Sequence, residues 1–365
     1  MKQKQAILTA FFLTAFLFGF AVFAWLKPAD AQSQAERRSL AQFPAFSWER
    51  FTGGKWTENF ESYTPDQFPL REQFRTLKSL VSLGIFRQKD NNGVYFADGY
   101  VAKLEYPAND DSLAHAQERF QFVYDKYLTG TNVKVYLSVI PDKNYFLAER
   151  NGYPALDYNA FFSSMQKSLP WATYIDLTGS LELSDYYRTD IHWRQEKLVP
   201  AAQTIAEEMG TSVSDNFTVK TLDRDYYGLY YGYAALPIKP EKISYLTNST
   251  LENAVVTNFE TNKTGPVYDM DKAAGKDPYE MFLSGSVALL TIDNPEAKTD
   301  KELVIFRDSF ASSLAPLLLE GYAKITLVDI RYLPSVRLGS FLEFSDQDVL
   351  FLYSVPVLNN SETIK

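Results

Sequence analysis

The strongest constraint on the fold is a repeated alternation of apolar, β-prone runs with segments of helical spacing. Residues 133–140 read VKVYLSVI, a run dominated by β-branched and aromatic side chains. Residues 157–169 then place Phe161, Met165 and Leu169 on one helical face, and residues 172–177 (ATYIDL) predict a second strand. Residues 194–209 are helical in composition, with Pro200 marking a restart or kink. The pattern returns late in the chain. Residues 302–306 predict a strand, 310–319 a helix, 324–330 a strand and 349–353 another. Strands that alternate with helices predict an α/β fold whose mostly parallel sheet carries helices on both faces. The strand runs lack clean polar–apolar alternation, as expected for strands buried on both sides.

Between these halves, residues 211–300 break the alternation. They are rich in Tyr, Thr, Asn and Gly, with short β-prone runs at 229–233, 254–259 and 286–292, and predict a β-rich insertion. Residues 46–80 mix Trp and Phe with charge and predict short helices packed on the main body. Residues 28–45 are polar and rich in Ala and Gln, the composition of a linker.

Ahead of the linker, Lys2 and Lys4 precede an uncharged run from residue 6 to residue 26. That run is long enough to cross a bilayer and longer than the usual core of a secretory signal. It predicts a signal anchor over residues 1–27, with the remaining polar chain on the outer side of the membrane. The alternative is secretion after cleavage near Ala29-Asp30-Ala31, a small-x-small triplet.

Charge and composition exclude several functions. A net charge of −9 is unsuited to nucleic-acid binding. The absence of cysteine removes disulfides and thiolate metal sites. Two histidines with no paired spacing, and no calcium-loop pattern, give no metal site and no cofactor. The Gly-Lys pair within 265–276 lacks the spacing of a phosphate loop, and no Gly-x-Ser-x-Gly elbow is present.

Against that background one constellation carries chemistry. Phe306-Arg307-Asp308-Ser309-Phe310 closes a predicted strand and opens a predicted helix, which puts Ser309 at the carboxyl edge of the sheet, where open α/β sheets bind ligands. Asp190-Ile191-His192 places a carboxylate two residues before an imidazole. In an extended segment the two side chains share a side, so Asp190 can orient His192 as a base. Together these supply the parts of a Ser-His-Asp acyl-transfer site. Each also has an ordinary reading: Asp308 or Ser309 as a helix N-cap, and His192 in a surface loop or satisfied in the core. His115, early in a predicted helix without a paired carboxylate, reads as structural.

Thr189-Asp190-Ile191-His192-Trp193 resembles the signature of the DHHW protein family, relatives of the alginate O-acetylation proteins in the SGNH-hydrolase-like group. Here Ile191 stands where the family has its first histidine. The resemblance continues through Asn92-Gly93-Val94-Tyr95-Phe96, Asp98-Gly99-Tyr100, Val139-Ile140-Pro141-Asp142-Lys143, the segment from Pro278 to Gly285, and Arg307-Asp308-Ser309-Phe310, covering residues 46–358. It implies an SGNH-hydrolase-like three-layer αβα domain over residues 46–365. Ser309 is then the nucleophile, and His192 and Asp190 complete the triad. It also implies Arg331, just after a predicted strand, as an oxyanion donor beside the Ser309 N–H. Lys143 and Tyr145 follow another strand and are expected to line the cleft. The implied activity is O-acetyl transfer to, or removal from, a cell-envelope or secreted polysaccharide. A membrane-bound O-acyltransferase is the implied partner and acyl source. An inactive polysaccharide-binding protein and an esterase or lipase of small esters remain as alternatives.

Overall fold

The computed structural model describes residues 2–365, which divide into two compact units. The first comprises the chain up to Asn92 together with Tyr231–Ile238. The second comprises Gly93–Tyr230 and Lys239–Lys365. The division falls after Asn92, well beyond the boundary at 45 that composition suggested.

Within the first unit, a helix over Lys2–Leu26 is followed by a two-residue hairpin pairing Gln32–Ser33 with Arg38–Ser39. The stretch expected as a linker is therefore ordered here: Asp66 receives Arg38 and the Ala41 N–H, and Gln67 bonds the backbone of Asp30 and Ala41. Helices follow at Trp48–Thr52, Lys55–Asp66 and Arg71–Leu80, the last extended by a π turn over Val81–Ile85.

The second unit is organised on an eight-stranded sheet. Its strands in chain order are β1 (Lys134–Ile140), β2 (Thr173–Tyr174), β3 (Val255–Asn258), β4 (Lys263–Gly265), β5 (Leu289–Asp293), β6 (Glu302–Arg307), β7 (Lys324–Val328) and β8 (Asp348–Ser354). Their spatial order is β4-β3-β5-β7-β6-β8-β1-β2. The five strands from β7 to β2 run parallel; β5, β3 and β4 join antiparallel beside β7. Much of the expected insertion is thus not separate, because β3, β4 and β5 extend the main sheet. A further hairpin pairs Thr218–Thr221 with Ser244–Thr247 outside that sheet.

Strand side chains alternate between two cores. Tyr136, Leu303, Ile305, Leu327 and Leu350 enter one cluster; Leu137, Val304, Phe306, Val328 and Phe351 enter the other. Both faces are apolar, so the period of two survives as a partition between cores even though it is invisible as polarity.

Local deviations have local causes. The helix expected over 310–319 is one α-turn, Ala311–Leu314, continued as 3-10 helix over Ala315–Gly321, where Pro316 cannot donate to an α-ladder. Pro200 instead starts a helix, Val199–Glu208, since its missing N–H costs nothing in the first turn. Asp157 caps Tyr158–Ser168 by accepting from the Ala160 N–H.

The pairing register aligns the carboxyl ends of the parallel strands. Phe306 faces Val328 and Phe351, and Ser354 faces Ile140. Asp308, Asp329, Ser354 and Asp142 consequently emerge along one edge of the sheet.

Candidate active site

Ser309 stands on the turn immediately after β6, half-buried, between the buried Asp308 and Phe310. The turn is fixed by Asp308, whose two carboxylate oxygens accept from the Phe310 N–H (3.0 Å) and the Ser354 N–H at the end of β8 (2.7 Å). Asp308 therefore ties the turn to the neighbouring strand. Ser309 is not a helix cap either: the residue before the short helix is Phe310, with no side-chain cap, and the Ser309 Oγ lies 2.8 Å from His192 Nε2.

His192 reaches Ser309 from a tight loop. Tyr186 and Trp193 form an antiparallel bridge, and the Tyr187 N–H donates to the His192 carbonyl, so residues 187–192 close on themselves. The Asp190/His192 pair does not arise from an extended segment, as the sequence suggested. The chain bends here, and Asp190 Oδ1 accepts from both the His192 backbone N–H (3.1 Å) and Nδ1 (2.6 Å). One carboxylate oxygen thus shapes the turn and orients the ring. An ionised carboxylate can only accept, which assigns the proton to Nδ1 and leaves Nε2 to accept from the Ser309 hydroxyl.

The opposite face of the loop is held from several directions. Asp190 Oδ2 accepts from the Leu229 N–H at 2.7 Å, and Thr189 Oγ1 accepts from the Gly228 N–H at 3.0 Å. A Cβ on Gly228 would lie 2.2 Å from the Thr189 carbonyl oxygen and 2.3 Å from the Asp190 nitrogen, so only glycine permits this approach. Glu241, buried, accepts from the Arg188 and Thr189 N–H groups. Burial raises its carboxyl above the usual range, partly offset by Arg188 and Arg194.

Two aromatic residues complete the setting. The Tyr279 ring stacks on the His192 imidazole, with centroids 3.9 Å apart and planes 11° apart, while its hydroxyl meets Ser313 Oγ at 2.8 Å. Trp193, fully buried, donates from Nε1 to the Phe310 carbonyl (3.0 Å) and Ser313 Oγ (2.9 Å). The loop bearing His192 and the turn bearing Ser309 are therefore joined by more than the bond between those two side chains. Tyr279 belongs to the segment from Pro278 to Gly285 that carried the family resemblance, but residue type alone gives no sign that it covers the imidazole. Gly228 and Glu241 left no sequence signal, because their roles come from long-range contacts.

The remaining residues singled out by sequence fall differently. Arg331 follows β7 and is clamped by Asp329 through Nε (2.9 Å) and one Nη (2.6 Å); its other Nη makes no hydrogen bond among the described residues. Burial opposes its charge, but the Asp329 carboxylate outweighs that, and Asp308 adds to the attraction. Lys143 does not line a cleft. It is buried, and its ammonium donates to the carbonyls of Val101, Tyr187 and Arg188, so it supports the His192 loop from beneath. Burial pushes it down to about 7. Tyr145 is half-buried among Phe146, Tyr158 and Phe162, an aromatic packing position. His115 bonds Ser361 Oγ through Nδ1, as a structural residue does. No group of His, Asp and Glu among the described residues is arranged to hold a metal ion.

No family model matches the sequence, and no curated protein matches it. Solved structures do. A DHHW family protein from Eubacterium siraeum superposes with a TM-score of 0.61 at 22% identity, covering 75% of this chain and 95% of that one. PatB1 of Bacillus cereus superposes with a TM-score of 0.57 at 17% identity, covering 74% and 98%. PatB1 carrying a sulfonyl adduct gives 0.55 at 16% identity, covering 74% and 96%. The mostly parallel sheet of this chain therefore belongs to the same α/β fold as that DHHW family protein and PatB1.

Proposed function

We propose that this chain is a serine-dependent O-acyltransferase or acetylesterase acting on a polysaccharide outside the cytoplasm. The observation that carries the reading is the hydrogen-bonded series Ser309 Oγ, His192 Nε2, His192 Nδ1 and Asp190, at 2.8 and 2.6 Å. Such a series makes a serine nucleophilic near neutral pH. Ser309 Oγ attacks the acyl carbonyl as its proton passes to His192 Nε2. The oxygen of the tetrahedral intermediate is met by the Ser309 backbone N–H and by the Nη of Arg331 that Asp329 leaves unengaged. His192 returns the proton to the departing oxygen, and the acyl group stays on Ser309. A sugar hydroxyl or water, deprotonated by the same imidazole, then takes the acyl group and regenerates the serine.

The sulfonyl adduct of PatB1 supports the reading, because sulfonyl reagents trap activated nucleophiles and PatB1 shares this fold. A polysaccharide acceptor is what the resemblance of Thr189-Asp190-Ile191-His192-Trp193 to the DHHW signature implies, and it fits the envelope setting that the apolar helix near the N-terminus suggests. That helix is long and apolar enough to span a bilayer over Lys4–Leu26, and none of its residues in that window is buried. We read it as an anchor, with a membrane-bound O-acyltransferase supplying the acyl group. The test uses an activated acetyl ester with and without polysaccharide acceptors. The wild type should release acetate or acetylate the acceptor, and Ser309→Ala and His192→Ala should each abolish nearly all turnover, alone or combined. Full turnover by a folded Ser309→Ala variant would refute the proposal.

A further inference from the structure

The first unit presents an apolar surface that its own fold does not use. Phe46, Trp48, Phe51, Leu77, Ile85 and Phe86 are all exposed, Trp48 at 72%, Ile85 at 71% and Phe86 at 69%. They fall in two groups along the chain. Phe46 and Trp48 touch ring to ring at 5.5 Å, Phe51 joins both, and Trp56 and Phe60 stack behind them on one face of the Lys55–Asp66 helix. Leu77, Ile85 and Phe86 follow on the next helix and its π turn. A soluble surface rarely carries so many large apolar side chains within about forty residues.

The long apolar helix packs on the stretch of chain between these two groups. The Phe20 ring stacks on Phe68 at 5.6 Å and meets Phe74 at 5.8 Å. Phe20 lies six residues before the helix ends at Leu26. At the helical rise this is roughly 9 Å back along the axis. The segment around Phe68 and Phe74 therefore sits beside the apolar helix at about the depth, 5–10 Å, reached by interfacial amphipathic helices.

Charge points the same way. Beyond the helix, residues 27–92 carry ten Lys and Arg against eight Asp and Glu, whereas residues 93–365 carry 24 against 37. The positive excess is confined to the unit that holds the apolar surface. Arg50, Lys55, Lys78 and Arg87 lie within or beside the aromatic segments, where phosphate headgroups would meet them. Aromatic rings flanked by basic residues are the composition that bilayer–water boundaries select.

We propose that residues 43–86 form a membrane-interface platform: their aromatic and aliphatic side chains insert among the headgroups and upper acyl chains of the leaflet through which the helix emerges. This rests on reading Lys4–Leu26 as a spanning anchor. The occupant is an anionic phospholipid bilayer, rather than a partner protein or a second copy of this chain.

The chain has no cysteine, so a single introduced thiol carries a unique environment-sensitive fluorophore. Full-length chain in vesicles of phosphatidylcholine and phosphatidylglycerol is labelled at Phe12→Cys in the helix, at Trp48→Cys, Leu77→Cys and Phe86→Cys in the platform, and at Glu58→Cys and Asp300→Cys as polar controls. Lipids bearing a shallow nitroxide should quench the three platform labels several-fold more than Glu58 or Asp300, with blue-shifted emission. Phe12 should respond most to a deep nitroxide. Platform labels that behave like Asp300 while Phe12 is quenched would overturn the platform and leave the anchor standing. An unquenched Phe12 would overturn both. Platform labels shielded from aqueous iodide but not quenched by lipid would mean that protein covers the surface, and would overturn the bilayer as its occupant.

Discussion

Replacing Gly228 by alanine tests whether the His192 loop is held as the contacts indicate. The new methyl carbon would stand 2.2 Å from the Thr189 carbonyl oxygen, 2.3 Å from the Asp190 nitrogen and 2.3 Å from the Thr189 carbonyl carbon. All three are backbone atoms, so no side-chain rotation relieves the overlap. Ordinary contact needs at least about 3.4 Å, and the two strands of chain must separate by roughly 1 Å. That displacement acts on Asp190, whose Oδ2 is held by the Leu229 N–H, and through Asp190 on the His192 ring. A misplacement of about 1 Å at reacting groups costs on the order of 10²-fold in rate. Losing the bonds to Leu229 and Gly228 removes about 2–4 kcal/mol of stability, the first bond being to a charged acceptor. The expected result is a folded variant with a melting temperature lowered by several degrees and kcat down about 100-fold on an activated acetyl ester. Gly265→Ala is the control, since a Cβ there meets nothing within 4 Å and the glycine has no positive φ. If Gly228→Ala turns over at the wild-type rate while Gly265→Ala is also normal, the Gly228 contact does not set the imidazole position.

Asp190→Asn should lose activity on the order of 10³- to 10⁴-fold with its fold intact by circular dichroism. The amide must aim a donor at either the His192 ring or the Leu229 N–H, and the imidazole loses the tautomer that leaves Nε2 free. Asp142→Asn should change the pH dependence of stability. Burial holds the Asp142 carboxyl up to about 6, opposed by the Tyr158 hydroxyl and the Asn144 amide. Between about pH 4 and 6 the folded chain therefore keeps a proton that the unfolded chain releases. The Asp142 contribution is complete below about pH 4 and is lost as pH rises through about 6, by on the order of 3 kcal/mol. Urea titrations from pH 4 to 7 should show the wild type losing stability relative to Asp142→Asn across that window, and a constant difference would contradict the account.

What the sequence showed and what it hid divide along physical lines. The runs at β1, β6, β7 and β8 were legible because strands buried on both faces must be apolar throughout, and the helices between them kept one apolar face. The six-residue run at 172–177 was overread, since only Thr173 and Tyr174 pair at the sheet edge. Pro316 limited the helix after Ser309, a local cue that residue spacing outweighed. In the site, Ser309, His192 and Asp190 were legible as residue types near predicted boundaries. Their meeting depends on the bend that Asp190 closes on the His192 N–H, which alternation along a strand does not describe. Lys143 followed a strand as a cleft residue would, yet its ammonium is spent on three backbone carbonyls. Gly228, Glu241 and Tyr279 act across 38 to 87 residues of chain, and one sequence holds no record of such pairings.

The central claim is that Ser309 is an activated nucleophile, and covalent trapping tests it most directly. Full-length chain is treated with a sulfonyl fluoride, and separately with an activated acetyl ester, and the adduct is located by intact-mass and peptide-fragment measurements. The account predicts a single adduct on Ser309 that is lost in His192→Ala and in Ser309→Ala. An adduct on another residue, or none on a folded wild-type chain that hydrolyses or transfers the acetyl group, would contradict it.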